Sequence, residues 1–403
     1  MKIAIIFDAI KDSGGFVQSL SSLMQITQVQ KESKNFTFIY ICTSKNTKAV
    51  LREHNVHLEI FKKSKISKLF NILNEISLLK LLFNKLNITN PFTNFLKKRK
   101  IDLVIFLGPS QLILSCHGIN FIMSVYDIGF KINHFFPEYR KKKIYEIREK
   151  IVHKSSLHAF RILVDTLKTK NMICKIYNCL EENVIVQHFS PLLIKEYYLE
   201  NLKKLNISNK ILNLKNYIYY PAQFWAHKNH KYIVEAVNSL KKNHNINLNV
   251  VFCGKDKGNL EYVNELISKL NITDQFAILG YINDHEILHL YKNCNALVMP
   301  TYVATSTLPL YEAFYYKVPV LYSAGVLDPN LENFVTTFDL KNFNELTLIL
   351  KKMYENRLET ENKIKNGYEF CKKFCNDKIL SSNYKKILND YHLTKEIWKS
   401  DYN

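Results

Sequence analysis

The chain has 403 residues, which is long enough for two domains of ordinary size. Hydrophobic residues make up 47% and charged residues 23%, a globular composition that excludes global disorder. Lysine and arginine number 56 against 36 acidic residues, a net charge of +20. That charge fits a surface that meets phosphates, and it equally fits a lysine-rich coding bias.

The eight cysteines are scattered along the chain and form no pair of Cys-x-x-Cys motifs. Unpaired cysteines in a chain of this size are typical of a reducing cytoplasm. The opening stretch "MKIAIIFDAI" is interrupted by Asp8 too early for a signal peptide, and no apolar run reaches the ~18 residues of a membrane span. We therefore predict a cytoplasmic protein whose contact with the inner face of the membrane, if any, is peripheral.

Short apolar runs alternate with helical patterns along most of the chain. Runs typical of strands lie at 2–7, 36–42, 102–107, 119–126, 161–165 and 183–187, and again at 217–221, 248–254, 276–281, 296–300 and 318–323. Near-continuous apolar strands between amphipathic helices predict parallel sheets covered on both faces. Because residues 190–216 carry no strand pattern, we predict an α/β chain of two doubly wound domains. Their ligand is expected in a cleft between the carboxyl ends of the sheets.

The stretch "YYPAQFWAHKNHKYIVEAV" (219–237) combines an aromatic strand, a loop holding Lys228 and an amphipathic helix. Asn229 is predicted to cap this helix. The first turn of a helix has free backbone N–H groups and a partial positive charge, so a lysine beside it makes a phosphate site. The alternative is a surface lysine that follows a turn.

A second stretch of the same design is "ALVMPTYVATSTLPLYEAFYYKVPVLYS" (296–323). The strand ends at Pro300, and Thr307 is predicted to cap a helix whose first turn contains Pro309. Glu312 follows within two turns, where its carboxylate can accept hydrogen bonds from two ribose hydroxyls. The alternative role of Glu312 is to stabilise the helix N-terminus.

A third loop, "FDAIKDSGGFVQSL", follows the first strand. Gly14 and Gly15 are predicted to let the backbone pass close to a ligand before a helix opens at Phe16. A glycine pair also occurs in turns that bind nothing.

The segment 62–86, "KKSKISKLFNILNEISLLKLLFNKL", is predicted to be one basic amphipathic helix. Lys62, Lys63, Lys65 and Lys68 precede an apolar face. Such a helix can lie on an anionic membrane, or it can pack on the first sheet with its lysines solvated.

Several motifs together resemble one family. "YPAQFWAHKNH", "GYINDHEILHLYKNCNALVMPTY", "STLPLYEAF" and "VPVLYS" fall in order in the C-terminal half, and "SGGFVQSL", "DLVIFLGPS", "VYDIGFKINHFFPEY" and "VIVQHFSP" fall in order before them. This set resembles the retaining glycosyltransferases of family 4, which have the GT-B fold. The resemblance implies an acceptor-binding Rossmann-like domain at 1–195, a donor-binding one at 208–380, and a helical segment at 381–403 that returns to the first domain.

The resemblance implies that a nucleotide sugar binds the C-terminal domain. Lys228 matches the lysine that holds the donor diphosphate, and Gln223 stands where many members carry an arginine. Glu312 matches the glutamate that binds the ribose, whereas Ala304 replaces a second glutamate. The remaining candidates are the backbone and hydroxyl groups of Thr305, Ser306, Thr307 and Leu308 for the donor sugar and Gly280, Tyr281 and Ile282 for the base.

On the acceptor side, Tyr126-Asp127 stands where many relatives have His-Asp. Asp127 is expected to orient an acceptor hydroxyl or stabilise positive charge on the sugar, and its alternative role is a loop or helix cap. His134 is a candidate to replace the missing histidine. The acceptor is expected to be a saccharide or a lipid-linked sugar of a bacterial surface polysaccharide such as O-antigen, capsule or lipooligosaccharide.

Retaining enzymes of this fold resemble front-face catalysts, in which the leaving diphosphate draws the proton from the acceptor hydroxyl. Cationic and N–H groups on the departing phosphate then matter more than a strong base. The chain has no Asp-x-Asp motif, so we expect no metal and no other cofactor. The alternatives are a non-catalytic GT-B subunit, suggested by Gln223, Ala304 and Tyr126, and a basic nucleic-acid binder. The second alternative lacks any recognisable motif, so we expect no nucleic-acid partner.

Overall fold

A computed structural model describes residues 1–9, 14–52, 56–73, 76–86, 88–140, 142–202, 206–303 and 307–398. The chain divides into two compact units. The first comprises Met1–Lys131, Lys142–Phe189 and Asp377–Asn403, and the second comprises Ile132–Lys141 and Ser190–Asn376.

The described part of the first unit contains a seven-stranded parallel sheet with the order β3-β2-β1-β4-β5-β6-β7. Its strands are β1 (Lys2–Phe7), β2 (Thr37–Cys42), β3 (Leu58–Ile60), β4 (Leu103–Phe106), β5 (Asn120–Ser124), β6 (Arg161–Val164) and β7 (Val184–Val186). All four residues of β4 are buried, as expected for a central parallel strand with helices on both faces.

The described part of the second unit contains a six-stranded parallel sheet with the order β10-β9-β8-β11-β12-β13. Its strands are β8 (Tyr217–Pro221), β9 (Asn249–Cys253), β10 (Phe276–Ile278), β11 (Ala296–Met299), β12 (Val320–Ser323) and β13 (Thr336–Phe338). The central strands β8 and β11 are buried almost throughout, so this sheet forms the centre of the unit's hydrophobic core.

Helices connect these strands. In chain order they are α1 (Gly14–Glu32), α2 (Lys45–Arg52), α3 (Lys65–Leu73), α4 (Ser77–Lys85), α5 (Pro91–Lys98), α6 (Gly129–Ile132), α7 (Pro137–Arg140), α8 (Lys142–His158), α9 (Leu167–Tyr177), α10 (Glu196–Leu202), α11 (Asn209–Leu212), α12 (His230–His244), α13 (Leu260–Lys269), α14 (Asp284–Asn293), α15 (Leu308–Tyr315), α16 (Pro329–Glu332), α17 (Phe343–Tyr354), α18 (Glu361–Phe374) and α19 (Asp377–Lys395). The two doubly wound α/β units confirm the predicted fold class.

The structure adds two strands to the sequence prediction, β3 and β13. Each lies at the edge of its sheet, has three residues and contains polar side chains, Glu59 in β3 and Thr336 and Thr337 in β13. The equally short edge strands β7 and β10 are wholly apolar, and the sequence pattern does reveal them. The segment 62–86 forms two described helices, α3 and α4, instead of the single one predicted.

Two segments of the chain lie outside the main sequence range of the unit to which they belong. Residues Ile132–Lys141 belong to the second unit, although they lie within the predicted N-terminal domain. They do so because Glu138 in α7 hydrogen-bonds to His227 of that unit. Helix α19 belongs to the first unit, where the hydroxyl of Tyr391 donates to the carbonyl of Asp102 at 2.8 Å.

Both sheets reverse their strand order between the first strand and the fourth. In open α/β sheets, ligands bind outside the carboxyl ends of the strands at this reversal. In the first unit the reversal lies between β1 and β4, and in the second between β8 and β11. The loops after these four strands are therefore the first places to look for function.

Candidate functional site

In the second unit, the loops after β8 and β11 are joined by backbone hydrogen bonds. The N–H of Tyr302 donates to the carbonyl of His227 at 2.9 Å, and the hydroxyl of Thr301 approaches the same oxygen at 3.3 Å. The loop that holds Lys228 therefore lies directly beside the loop that leads to α15. Sequence reasoning found these two loops separately, and the structure brings them together.

Lys228 is half-buried and ends a 3-10 turn, Ala226–Lys228, that leads into α12. Its carbonyl accepts a hydrogen bond from the hydroxyl of Tyr220 at 2.8 Å, which fixes the backbone at this position. The prediction that the Asn229 side chain caps α12 is wrong. Asn229 instead takes the left-handed conformation, with φ of 54° and ψ of 45°, and its side chain makes no capping bond among the described residues.

The two histidines that flank this lysine are buried packing residues. His230 stacks on Phe224 with ring centroids 4.3 Å apart, and burial lowers the pKa of its imidazole to about 3. The ring of His227 hydrogen-bonds to the carboxylate of Glu138 and stacks on Tyr139. Burial by itself would raise the pKa of Glu138, but the hydrogen bonds from His227 and the nearby backbone lower it overall.

Thr307 precedes α15 in the N-cap position but does not cap it as predicted. Its hydroxyl is buried and makes no hydrogen bond within the described ranges, which leave out 304–306. Leu308 and Pro309 follow in the first turn. A buried hydroxyl beside a helix N-terminus is suited to an anionic or hydroxylated ligand. The predicted candidates Thr305 and Ser306 lie outside the described residues, as does Ala304.

Glu312 lies in the second turn of α15 and is buried. Its carboxyl interacts with the phenol of Tyr291, and burial raises the pKa of Glu312 to about 8. The group is therefore mostly protonated at neutral pH in this structure. A neutral carboxyl can donate one hydrogen bond and accept others, so a ribose diol remains a chemically suitable partner.

Gly280, Tyr281 and Ile282 follow β10 at the same edge of the sheet. Gly280 has a φ of +68°, a conformation that favours glycine, and its carbonyl accepts from the N–H of Gly254 at 2.7 Å. Tyr281 is exposed, and the ammonium of Lys255 lies 4.8 Å from the centre of its ring. These positions can present an aromatic ring and backbone groups to a flat ligand.

Sequence reasoning missed a pair of lysines in the loop after β9. Lys257 lies over the ring of Trp225 at 5.7 Å, and the carbonyl of Lys255 accepts from the N–H of Phe224 at 3.1 Å. The side-chain oxygen of Gln223 accepts from the indole N–H of Trp225 at 3.0 Å. The signal was present in "VVFCGKDKG", because both lysines follow the carboxyl end of a buried strand.

Gly254 explains how this loop can approach the one after β8. A side chain at Gly254 would place its Cβ 2.4 Å from the carbonyl oxygen of Ala222, and the φ of Gly254 is +147°. The isolated bridge between Phe224 and Asp256 continues the pairing beyond the strands. The loops after β8 and β9 thus run side by side, and together they add Lys255 and Lys257 to the edge that holds Lys228.

The corresponding edge of the first unit has a different chemistry. Asp8 follows β1 and accepts hydrogen bonds from Thr43, from the ammonium of Lys63 at 2.7 Å and from the hydroxyl of Ser110 at 2.6 Å. The sequence did not reveal this cluster, since its members lie up to 102 residues apart.

Among the predicted residues of the first unit, Gly14 and Gly15 begin α1. A Cβ at Gly15 would lie 2.8 Å from Cε2 of Tyr126, so this tyrosine ring alone accounts for a glycine there. The hydroxyl of Tyr126 donates to the carbonyl of Leu107 at 2.7 Å and lies 2.6 Å from the hydroxyl of Ser19. Tyr126 therefore joins three segments at this edge of the sheet.

Asp127 accepts a hydrogen bond from the N–H of Gly129 at 2.9 Å, at the start of α6. This is the capping role that the sequence left open beside an acceptor role. His134 is exposed and belongs to the second unit, whereas Asp127 belongs to the first. Its ring packs edge-on against Phe135, with centroids 6.5 Å apart.

Among the residues that the structure describes, no group of three or more His, Cys, Asp or Glu side chains is arranged to hold a metal ion. Within the same residues, no helix has both the length and the apolar character needed to cross a membrane.

Residues 203–370 match the family described as glycosyl transferases group 1. Protein CapJ of Staphylococcus aureus is 27% identical over 214 residues, which is 50% of this chain and 54% of that protein. The matched part thus spans about half the length of this curated relative.

Solved structures resemble the whole chain. The Anabaena Alr3699/HepE structure in complex with UDP-glucose has a TM-score of 0.71 at 12% identity, covering 97% of this chain and all of that one. The apo form of the lipopolysaccharide outer core galactosyltransferase WaaB has a TM-score of 0.62 at 16% identity, covering 97% and 99%. At these identities the likeness shows the fold. The predicted GT-B architecture is confirmed, and the family match supports a group 1 glycosyltransferase domain in the second unit.

Proposed function

We propose that this protein transfers a sugar from a nucleotide-sugar donor to a saccharide or lipid-linked acceptor. The observation that carries the proposal is the edge of the second sheet, where Lys228 and the buried hydroxyl of Thr307 lie on adjoining loops at the reversal of strand order. A lysine and a helix N-terminus on adjoining loops suit the two phosphates of a nucleoside diphosphate.

The other candidate residues of the second unit suit the base and the ribose of such a donor. Tyr281 and Gly280 can contact the base, and Glu312 can hydrogen-bond to the ribose. The Alr3699/HepE structure is described as a complex with UDP-glucose, which makes a uridine donor the first to test. The domain match to group 1 glycosyl transferases supports the same reaction class.

In the proposed reaction the bond between the anomeric carbon and the leaving phosphate oxygen breaks. The acceptor oxygen forms its bond on the same face of the sugar, so the configuration is retained. The acceptor's proton passes to the departing diphosphate. Lys228 stabilises the negative charge that grows on that diphosphate, and this is why a cation is needed at this loop. The proposal requires neither a metal nor another cofactor.

The acceptor is proposed to be an intermediate of a bacterial surface polysaccharide, made at the cytoplasmic side of the membrane. WaaB, a lipopolysaccharide galactosyltransferase, has the same fold. Asp127 is the first-unit carboxylate proposed to meet the acceptor, and its bond to Gly129 leaves its second oxygen with acceptor capacity.

A second candidate is a non-catalytic GT-B subunit that binds a nucleotide or a sugar. Two observations favour it: Gln223 carries no charge where many relatives have an arginine, and the hydroxyl of Tyr126 is engaged within its own unit. The sugar transferase and the non-catalytic subunit would have the same donor site. Only the transferase would convert the donor into product.

A panel of UDP, GDP, ADP and dTDP sugars tests the donor site by thermal shift. A ligand at 100 times its dissociation constant stabilises a protein by about 2.7 kcal/mol, which is a readily measured rise in Tm. If no member of the panel raises Tm, the donor proposal is wrong. Release of nucleoside diphosphate that depends on an added glycolipid acceptor separates the enzyme from the non-catalytic subunit.

A further inference from the structure

Helix α3 has a packed face and an exposed face. On the packed face, the hydroxyl of Ser67 donates to Oδ1 of Asn90 at 2.7 Å, and the amide of Asn71 donates to the hydroxyl of Ser115 at 2.9 Å. The exposed face carries an apolar stripe at helical spacing, Ile66, Leu69 and Ile72, each more than half exposed. The helix is thus anchored by polar contacts and leaves its large aliphatic groups outside.

Helix α4 continues this surface. Phe83 stacks on Phe70 of α3 with ring centroids 4.9 Å apart, which holds the two helices together. Leu78, Leu81 and Leu82 lie on the other side and are exposed by 79%, 69% and 46%. We call the exposed aliphatic residues of this segment the α3–α4 surface: Ile66, Leu69, Ile72, Ile76, Leu78, Leu81, Leu82, Leu86 and Ile88.

Such a surface is unusual for a protein that stays in water. Isolated exposed leucines need no explanation, but contiguous apolar patches mark contact with a protein or a membrane. The described first unit offers no cover for these side chains, since their exposure is measured with the whole chain present. The α3–α4 surface is therefore available to an occupant from outside the chain.

The charge of the segment indicates what that occupant is. Residues 62–86 contain six lysines and one acidic residue, Glu75. Lys62, Lys65 and Lys85 are exposed beside the aliphatic stripe. Lys63 is held by Asp8 at the edge of the sheet, so it is not part of this charge. A helix surface that pairs leucines with lysines complements a bilayer with acyl chains and anionic headgroups.

We propose that the α3–α4 surface docks the protein on an anionic lipid bilayer, with α3 and α4 lying in the interface. The donor site does not require an anionic bilayer as a partner. Bilayer binding can be measured without donor or acceptor, so its failure and a failure of the proposed sugar transfer are distinguishable.

Co-sedimentation of the full chain with liposomes tests the proposal. Vesicles of phosphatidylcholine with one quarter phosphatidylglycerol should bind the protein at low salt, and pure phosphatidylcholine should bind it at least tenfold less. Adding 0.5 M NaCl should release most of it, because lysine contacts with headgroups are screened. Wild-type protein that stays in the supernatant with anionic vesicles at low salt would overturn the proposal.

Two variants separate the apolar part from the charged part. The double substitution Leu78→Ser with Leu81→Ser should lower the partition coefficient by about tenfold or more. The triple substitution of Lys62, Lys65 and Lys85 to Gln should remove the preference for anionic lipid. Since all five side chains are exposed, both variants should keep the wild-type Tm.

Matched controls use exposed residues elsewhere. Leu157→Ser with Leu348→Ser removes two leucines that are also more than half exposed, and the substitution of Lys175, Lys269 and Lys365 to Gln removes the same charge. Both controls should bind liposomes like wild type. If the controls lose as much liposome binding as the α3–α4 variants, the binding depends on overall charge or hydrophobicity and the proposal is wrong. If Leu78→Ser with Leu81→Ser instead turns a dimer into a monomer and leaves liposome binding unchanged, the surface joins two copies of the chain and the proposal is wrong.

Discussion

The reversal edges of the two sheets share a topology and differ in charge. In the first unit, Asp8 is the group at the centre, and Lys63, Thr43 and Ser110 all donate to it. In the second unit the corresponding loops carry Lys228, Lys255 and Lys257. At the edge of the first unit, a carboxylate is thus hydrogen-bonded by residues of the same unit. At the edge of the second unit, three lysines lie on neighbouring loops.

Two acidic residues, Asp256 and Glu312, lie in the loop and the helix at the second edge. Asp256 accepts hydrogen bonds from the N–H groups of Gly258 and Leu260, which lower its pKa, and it points to its own loop. Glu312 is mostly neutral at pH 7 because burial raises its pKa to about 8. The topology of the sheet determines where a ligand can bind. The residues of the loops determine which charge that ligand can carry. On this basis we propose that the anionic diphosphate binds to the second unit.

The largest expected effect comes from Lys228→Ala. It should lower sugar transfer by roughly 100-fold or more, because the lost charge is needed most when the diphosphate departs. The measurement is the rate of nucleoside diphosphate release with acceptor present. Lys231→Ala is the matched control. Lys231 pairs with Glu235 on the surface of α12, so this variant should keep wild-type turnover. Equal turnover in the Lys228 variant would remove this residue from the reaction.

A second prediction concerns pH and stability. The native pKa of Glu312 is about 8, above its ordinary value, so unfolding releases a proton between about pH 4.5 and 8. The free energy of unfolding should therefore fall as pH rises through this window, by about 1–3 kcal/mol. Glu312→Gln should flatten this slope in chemical denaturation series. An unchanged slope would show that the carboxyl is already ionised in the native state.

His230 should act in the opposite direction. Burial lowers the pKa of its imidazole to about 3, so below about pH 6.5 the unfolded chain binds a proton that the native protein does not. Its contribution to stability is thus lost as pH falls from 6.5 towards 3. His230→Phe, which keeps an aromatic ring in the stack on Phe224, should remove this acid sensitivity. Denaturation of wild type, Glu312→Gln and His230→Phe at several pH values between about 3 and 8 separates the two slopes.

A smaller effect is expected at the lysine that sequence reasoning missed. Lys255→Gln should weaken binding of a nucleoside diphosphate by about two- to fivefold, the contribution of one partly exposed ion pair. Binding of the corresponding nucleoside should change less than twofold. Lys269→Gln, in the exposed last turn of α13, is the control. Equal weakening for nucleoside and diphosphate would place Lys255 at the base instead.

The smallest expected change in the rate of sugar transfer is that caused by a metal chelator. Because the proposed site stabilises the leaving group with lysines and helix N–H groups, excess EDTA should leave transfer within about twofold of its starting rate. Complete loss of activity that manganese restores would contradict the metal-free mechanism. The assay needs only the wild-type protein.

The sequence predicted the fold because the central strands are buried on both faces and read as apolar runs. It missed β3 and β13, because these short edge strands contain polar residues, whereas the equally short β7 and β10 are wholly apolar. It located Lys228 and Thr307, which lie in the loops that follow the buried strands β8 and β11. It did not find the Asp8 cluster, whose members meet only through the tertiary structure, nor the left-handed Asn229, since local propensity favours a cap there.

The most direct test of the charge difference is calorimetric binding of the nucleoside diphosphate that the sugar panel selects. Asp8→Asn and Lys228→Ala each change one ionisable group at one of the two edges. The account predicts at least tenfold weaker binding for Lys228→Ala and a dissociation constant within twofold of wild type for Asp8→Asn. Wild-type affinity in Lys228→Ala, or an equal loss in Asp8→Asn, would contradict the assignment of the diphosphate to the second unit.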